Sequence, residues 1–428
     1  MLKKKTRINL SKMSIVRVSH PTSEVKGKIK LDGSKSISNR VLIIRALCKE
    51  NFNIKHLSTS DDTSTLADLL QNDNNVYDVH HAGTTFRFLT SFLAISLGVQ
   101  ILTGSERMKE RPIGPLVKAL RDLGADIEYL EKDGYPPLKI SPFNKDAYNS
   151  KISVKADISS QYITSLLLIA PALPNGLELT LEGDLVSEPY LNMTLATLCE
   201  FGINYKKTKG KIAVAPQDYK AIEYTVEADW SACSYYYSIA ALAKNANIQL
   251  EGLFRKSIQG DAKIKDIACL YGVNSYFDEK ENLYLKKERN PHSFVRFDFI
   301  NQPDLAQTVA VMSAGLGVTS HFSGLKTLRI KETDRISALQ QELQKINSDM
   351  PFDKIHNNQE YYNITEKGMF DRTPRFATYK DHRMAMAFAP FALLHPIEME
   401  NPEVVSKSYP RFWNDLESLG FLVEKIKD

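Results

Sequence analysis

The chain has 428 residues, 43% of them hydrophobic and 25% charged, enough for a packed core and too long for a single one. A net charge of only +4 excludes a dedicated nucleic-acid binder while leaving room for local anion sites. The longest apolar stretches, near residues 86–97 and 166–173, are too short to span a bilayer, so no membrane role is expected.

At the N-terminus, Lys3, Lys4, Lys5 and Arg7 form a basic stretch without the apolar centre of a signal peptide. Met13 is a second candidate start, and a cytoplasmic location is expected. Cys48, Cys199, Cys233 and Cys269 lie far apart in apolar, helix-like surroundings and in no metal-ligand spacing. They read as buried free thiols in a reducing compartment.

One phrase recurs along the chain: an amphipathic helix stops at glycine and a strand-like run follows. It ends at Gly124, Gly202, Gly272 and Gly420. The last interval is double, and Asn347 stands near its middle, so a repeat of about 75 residues built from α/β units is expected.

Between these punctuation points, charged and hydroxylated residues gather at predicted helix starts, where free N–H groups favour anions. Gly33-Ser34-Lys35-Ser36 opens a helix that carries Arg40 on the face of Ser36. The segment is not a P-loop, because its glycine spacing and its Lys-Ser order do not fit. His80 and His81 precede Gly83-Thr84, but no third ligand is spaced to make a metal site. Next come Arg107-Met108-Lys109-Glu110-Arg111-Pro112, then Ser159-Ser160-Gln161 before a helix over residues 162–173, then Ser187-Glu188-Pro189-Tyr190. Gln302-Pro303-Asp304 opens another helix. Lys331-Glu332-Thr333-Asp334-Arg335 reads by itself as a solvated, charged helix face. Asp381-His382-Arg383 precedes an apolar helix over 384–394, and Lys407-Ser408-Tyr409-Pro410 precedes the last helix. Each segment alone has a plain structural explanation.

In this order, however, the segments resemble the 5-enolpyruvylshikimate-3-phosphate synthase family (3-phosphoshikimate 1-carboxyvinyltransferases), over nearly the whole chain from Gly33 to Lys407. The resemblance implies an α/β fold: a two-domain inside-out α/β barrel, each domain three repeated βαβαββ-type units with the helices inside. It implies a discontinuous domain, residues 1–33 with 233–428, and an inserted one, 34–232, with the active site in the cleft between them. By the same resemblance, shikimate 3-phosphate is held by Lys35, Ser36, Arg40, Ser159, Ser160, Gln161, Ser187, Tyr190, Asp304 and Lys331. Phosphoenolpyruvate lies against Lys35, Gly83, Arg111, Gln161, Arg335, Arg383 and Lys407. Asp304 and Glu332 handle protons, and Lys35 shares in that work. No metal, organic cofactor or nucleic acid is required, and a monomer is expected.

The chain departs from the family pattern at His81 and Phe88, where Asn and Pro are common, and at Thr327, where an Asn beside the acceptor phosphate is expected. These positions bear on substrate contacts and on the family's inhibitor glyphosate, whereas the proton-handling residues are intact. The sister enzymes acting on UDP-N-acetylglucosamine typically carry a cysteine in the loop corresponding to residues 107–114, and none stands there. A silent anion sensor on the same fold would have little use for Asp304 and Glu332. A site assembled from two halves and rich in cations is expected to stand open until its anions bind.

Overall fold

Each glycine that punctuates the repeat ends a helix in the left-handed region: Gly124 at φ 106°, Gly202 at 83°, Gly272 at 88° and Gly420 at 93°. Asn347, at the fifth point, has φ 54°, a conformation that asparagine tolerates better than most residues. This is a computed structural model, which describes residues 14–71, 75–143, 148–156, 159–356 and 359–426. The N-terminal basic stretch and Met13 lie outside the described residues.

Residues 76–141 show one unit whole. Strand Val76–Asp78 runs through helix Gly83–Ala94 to the parallel strand Gln100–Thr103. A second helix, Gly114–Asp122, leads to the hairpin Asp126–Tyr129 and Leu138–Ser141, whose later strand joins the sheet beside Gln100–Thr103. Four other sheets repeat this order. In one, the parallel pair is Glu24–Lys30 with Asn245–Glu251, far apart in sequence. In another, the N-terminal strand Ile15–Ser19 completes the hairpin of Leu422–Ile426 beside Ile397–Glu400. The sixth sheet has, among the described residues, only the parallel pair Ile54–Lys55 and Tyr224–Thr225.

The burial pattern explains why helices lie inside. Trp230–Leu242, Ser160–Ile169 and His382–Phe388 are apolar nearly all round and almost wholly buried, as helices surrounded by protein must be. Strands such as Glu24–Lys30 and Lys151–Lys155 alternate, with one face buried and one facing water. Two cores result. One takes Val16–Leu31 and Ala228–Phe421, and the other takes Ile37–Val226. The chain passes between them at one place, where Ser34 N donates to Glu227 O (2.7 Å) and Asp229 N to Asp32 O (3.0 Å).

Three local expectations change. The helices expected over 162–173 and 384–394 are observed as Ser160–Ile169 and His382–Phe388, each continuing as a 3-10 turn at an Ala-Pro step, where proline removes an α-helical donor. Of the four thiols only Cys233 is buried, and Cys199 is exposed because it points a third of a turn away from the inward Leu198. The Lys331–Arg335 run is not one helix face. A 3-10 turn, Lys326–Ile330, ends at Lys331, and a new helix begins at Arg335.

Candidate active site

Six helices start at one cavity between the two cores: Lys35–Leu47, Gly83–Ala94, Ser160–Ile169, Glu188–Glu200, Arg335–Gln344 and His382–Phe388. Their first-turn N–H groups and dipoles make the cavity attractive to anions before any side chain is counted. Local sequence sets each start. Ser159 caps its helix by accepting from Gln161 N (3.3 Å), Asp334 accepts from Ile336 N (3.1 Å), and Asp381 accepts from Arg383 N (2.9 Å). Ser187 precedes its helix at φ 56°, and its N–H crosses to Ile300 O of the other core (2.9 Å).

Arg335 is 1% exposed and joins three carboxylates: Asp381 (2.7 Å), Glu332 (3.0 Å) and Asp304 (3.1 Å). Arg383 Nη2 donates to the other oxygen of Asp304 (2.9 Å), which also accepts from the Tyr190 hydroxyl (2.9 Å). Lys407 Nζ reaches Glu332 at 2.8 Å. Lys35 Nζ donates to Ser408 Oγ (2.8 Å) and lies 3.7 Å from buried Asp62. On the opposite wall, a Cβ on Gly83 would stand 2.4 Å from Arg111 Nη1 and 2.9 Å from Arg87 Nη1. Only glycine lets both guanidinium groups come so close.

The electrostatics divide by neighbours. Burial pushes Asp304 up, but Arg383, Lys331 and Arg335 outweigh it and hold the carboxyl well below its ordinary range. Glu332 is likewise raised by burial and brought far lower by Lys407, Arg335 and Arg111. Arg111 has cationic company and is drawn down to about 10, by burial first and then by Arg87. Burial, with Lys35 and Arg383 adding to it, keeps the His382 ring neutral, and neither ring nitrogen has a hydrogen-bond partner among the described residues, Nδ1 standing 3.6 Å from Asp381.

Of the residues singled out in the sequence, Lys35, Ser36, Arg40, Gly83, Arg111, Ser159, Ser160, Gln161, Ser187, Tyr190, Asp304, Lys331, Glu332, Arg335 and Arg383 line this cavity. Lys407 stands just behind, against Glu332. Arg40 is largely committed to its own core, donating to Ser36 O (2.6 Å), Thr194 (2.9 Å), Tyr190 O (3.2 Å) and Thr164 (3.3 Å). Its guanidinium also sits 5.8 Å from the centre of the Phe88 ring. Thr327 lines the cavity, whereas His81 is exposed and faces Asp61 at 3.7 Å. Sequence reasoning missed Asp62, Arg87 and His382, which line the same cavity. Arg87 had a signal, a lone arginine one turn after Gly83 on an otherwise apolar helix. The halves are closed on each other through Ser187–Ile300, Lys35–Ser408 and Ser406–Asp61 (2.6 Å).

Over residues 19–72 and 69–416 the chain matches the family model described as EPSP synthase (3-phosphoshikimate 1-carboxyvinyltransferase). The chain belongs to this family. A relative of that name from Bacteroides fragilis (strain YCH46) is 46% identical over 401 residues, covering 93% of this chain and 96% of its own. Another, from Aliivibrio salmonicida (strain LFI1238), is 34% identical over 431 residues, covering 94% and 98%. A solved structure of EPSP synthase from Acinetobacter baumannii shares the fold at a TM-score of 0.75 and 19% identity, covering 97% of this chain and all of that one. The six helix-inside units are therefore the two-domain α/β architecture of EPSP synthases. Among the described residues no helix is long and apolar enough to cross a membrane.

Proposed function

We propose that this EPSP synthase family member transfers the enolpyruvyl group of phosphoenolpyruvate to the 5-hydroxyl of shikimate 3-phosphate, releasing phosphate, and that the residues of the cavity divide the work as follows. The observation that carries the reading is one guanidinium, Arg335, shared by two partly buried carboxylates, Asp304 and Glu332, in a cavity whose other cations come from both cores.

Two multiply charged anions must be brought together, and the cavity offers a separate reception for each. The hydroxyls of Ser159, Ser160 and Ser187 and the Lys331 ammonium suit the acceptor phosphate, with Tyr190, Ser36, Arg40 and Gln161 around the ring. Arg111 beside Gly83, with Lys35, Arg335, Arg383 and Lys407, suits the donor's carboxylate and phosphate. Binding the donor draws Arg335, Arg383 and Lys407 away from Asp304 and Glu332. With Lys331 taken up by the acceptor phosphate as well, burial is the main influence left, and it raises both carboxyls toward useful proton exchange.

The reaction needs no more than proton traffic. A proton delivered from Glu332, with Lys35 sharing the role, adds to the methylene carbon of the enol and leaves the neighbouring carbon cationic. The 5-hydroxyl oxygen bonds there as Asp304 takes its proton, giving a tetrahedral ketal phosphate. The carbon–oxygen bond to phosphate then breaks as the proton held by Asp304 passes to the departing phosphate, the methyl group returns a proton to Glu332, and the vinyl double bond is restored. Once the substrates hold them in place, the cations stabilise charge as it develops.

The two cores are proposed to act as bodies that open and close around the substrates. The working unit is proposed to be a monomer, placed in the cytoplasm. Gly83 is retained beside Arg111, which supports glyphosate binding in the donor's place. The deciding experiment is phosphate release from phosphoenolpyruvate. Release that depends on shikimate 3-phosphate upholds the reading. Release only with UDP-N-acetylglucosamine moves the chain to the sister reaction, and binding without release makes it a sensor.

A further inference from the structure

Behind the site lies a carboxylate that no role above uses. Asp261 is the second residue of the turn Gly260–Lys263 and is 4% exposed. Its Oδ2 accepts from the Ser231 hydroxyl, while Oδ1, equally shielded, has no hydrogen-bond partner among the described residues. Ser231 Oγ is 3.5 Å from Arg383 Nη2, the same nitrogen that donates to Asp304 at 2.9 Å. The turn is also seated from the other core. A Cβ on Gly260 would stand 2.4 Å from Pro189 Cβ, next to Tyr190, whose hydroxyl donates to the same oxygen of Asp304.

We propose that Asp261 is a positioning residue for the transfer reaction: through Ser231 it holds the Arg383 guanidinium and so fixes that cation relative to Asp304. The proposal rests on the reading of Asp304 as the group that takes the acceptor's proton.

The charges around Asp261 suit the task. Tyr190, Asp229, Asp304 and Arg383 all lie within its electrostatic reach, and Ser231 is bonded to it. Burial and then the Asp304 carboxylate push Asp261 up to about 7, against the pull of Arg383 and Ser231, and Asp229 pushes the same way. When Asp304 takes up the hydroxyl proton, its push on Asp261 disappears and Asp261 ionises more readily. Arg383 thereby keeps an anionic neighbour at the moment its first partner is neutralised.

The test compares wild type with Asp261→Asn, which keeps the shape and the acceptor for Ser231, and with Ser231→Ala, which cuts the link and keeps both carboxylates. In phosphate release, kcat of Asp261→Asn is expected to fall about tenfold to a hundredfold, the loss typical of a displaced catalytic geometry. The KM for the acceptor, held mostly by the serines and Lys331, should change much less. An inflection near pH 7 in the wild-type profile should vanish in Asp261→Asn, while limbs due to the substrates' own phosphates persist.

Thermal unfolding without substrates gives a second reading. Because the folded pKa is raised, native Asp261 binds more protons than the unfolded chain between about pH 4 and 7, so wild type loses stability as pH rises through that window. Asp261→Asn lacks this loss, and its Tm should climb relative to wild type over the same window and level off above it. A folded Asp261→Asn enzyme with wild-type kcat and pH profile, or a Tm difference that ignores pH, would overturn the proposal. If that variant fails to fold, wild-type kcat and profile in Ser231→Ala would overturn it equally. Wild type that releases no phosphate defeats the transfer reading instead, and the unfolding comparison still decides on Asp261.

Discussion

Lys407 Nζ lies 2.8 Å from Glu332 Oε1, a residue of the last unit reaching a carboxylate of the unit before it. Arg335 holds the other oxygen at 3.0 Å. Glu332 is thus kept ionised by the cations that the donor substrate must recruit, so donor binding and proton delivery are one event. Glu332→Gln keeps the shape and an acceptor for Lys407 but cannot exchange the proton. Phosphate release should fall by about two to four orders of magnitude, the usual worth of a general acid–base step. Calorimetric binding of both substrates should change only slightly. Binding lost with kcat intact would make Glu332 a docking residue.

The contact of Gly83 with two guanidinium groups makes a different prediction. In Gly83→Ala the new methyl would stand 2.4 Å from Arg111 Nη1, so Arg111 must withdraw. A charge-assisted bond is worth about 1.5–3 kcal/mol, and the KM for phosphoenolpyruvate should rise at least about tenfold. The KM for shikimate 3-phosphate should hardly move, because the clash falls on Arg111 and Arg87, which are not among the residues proposed to hold that substrate. An equal rise in both would place Gly83 elsewhere in the mechanism.

These residues also mark how far the sequence could be read. Gly83, Arg111, Asp304 and Glu332 were legible because polar groups at helix starts, in a fixed order, leave a pattern in one dimension. The repeat was legible for a similar reason: Gly124, Gly202, Gly272, Asn347 and Gly420 each mark a left-handed stop. The pairing of Ile15–Ser19 with Leu422–Ile426 left no local trace, since strand partners are chosen by the whole sheet. Asp261 escaped because a buried carboxylate in a short turn reads like any exposed one until its neighbours are known, and His382, though legible at its helix start, showed no sign in sequence of its burial among cations. Lys331 and Arg335 have the spacing of one helix face, and only the intervening cap at Asp334 reveals the break.

His382 gives a prediction about acid. Its ring is 1% exposed among cations, and burial with those cations depresses its pKa far below 6.5. The unfolded chain therefore binds this proton first as pH falls. Stability is fully present above about pH 6.5 and is lost below it, by up to about 1.4 kcal/mol per pH unit until the folded pKa is reached. Urea midpoints of His382→Gln should fall less steeply than those of wild type between about pH 6.5 and 5. Parallel slopes would mean the ring is protonated in the native protein.

Closure is the last prediction, and it turns on two opposed sets of contacts. Ser187 N to Ile300 O, Ser406 to Asp61 and Lys35 to Ser408 draw the halves together. Against them stands the net positive charge of the cavity, lined by seven Lys and Arg side chains and three carboxylates, which the two substrates would neutralise. These bonds, with Tyr190 to Asp304 and Arg107 to the Glu332 carbonyl, are each worth about 0.5–1.5 kcal/mol net, and without anions they have to hold that positive charge shut. X-ray scattering should therefore show a larger radius of gyration for the free chain and a contraction when both substrates, or shikimate 3-phosphate with glyphosate, are added. Raising salt alone should contract it partly, because screening weakens the repulsion. A radius that ignores both ligands and salt would mean that the contacts between the cores outweigh the charges, and that substrates enter a cavity already built.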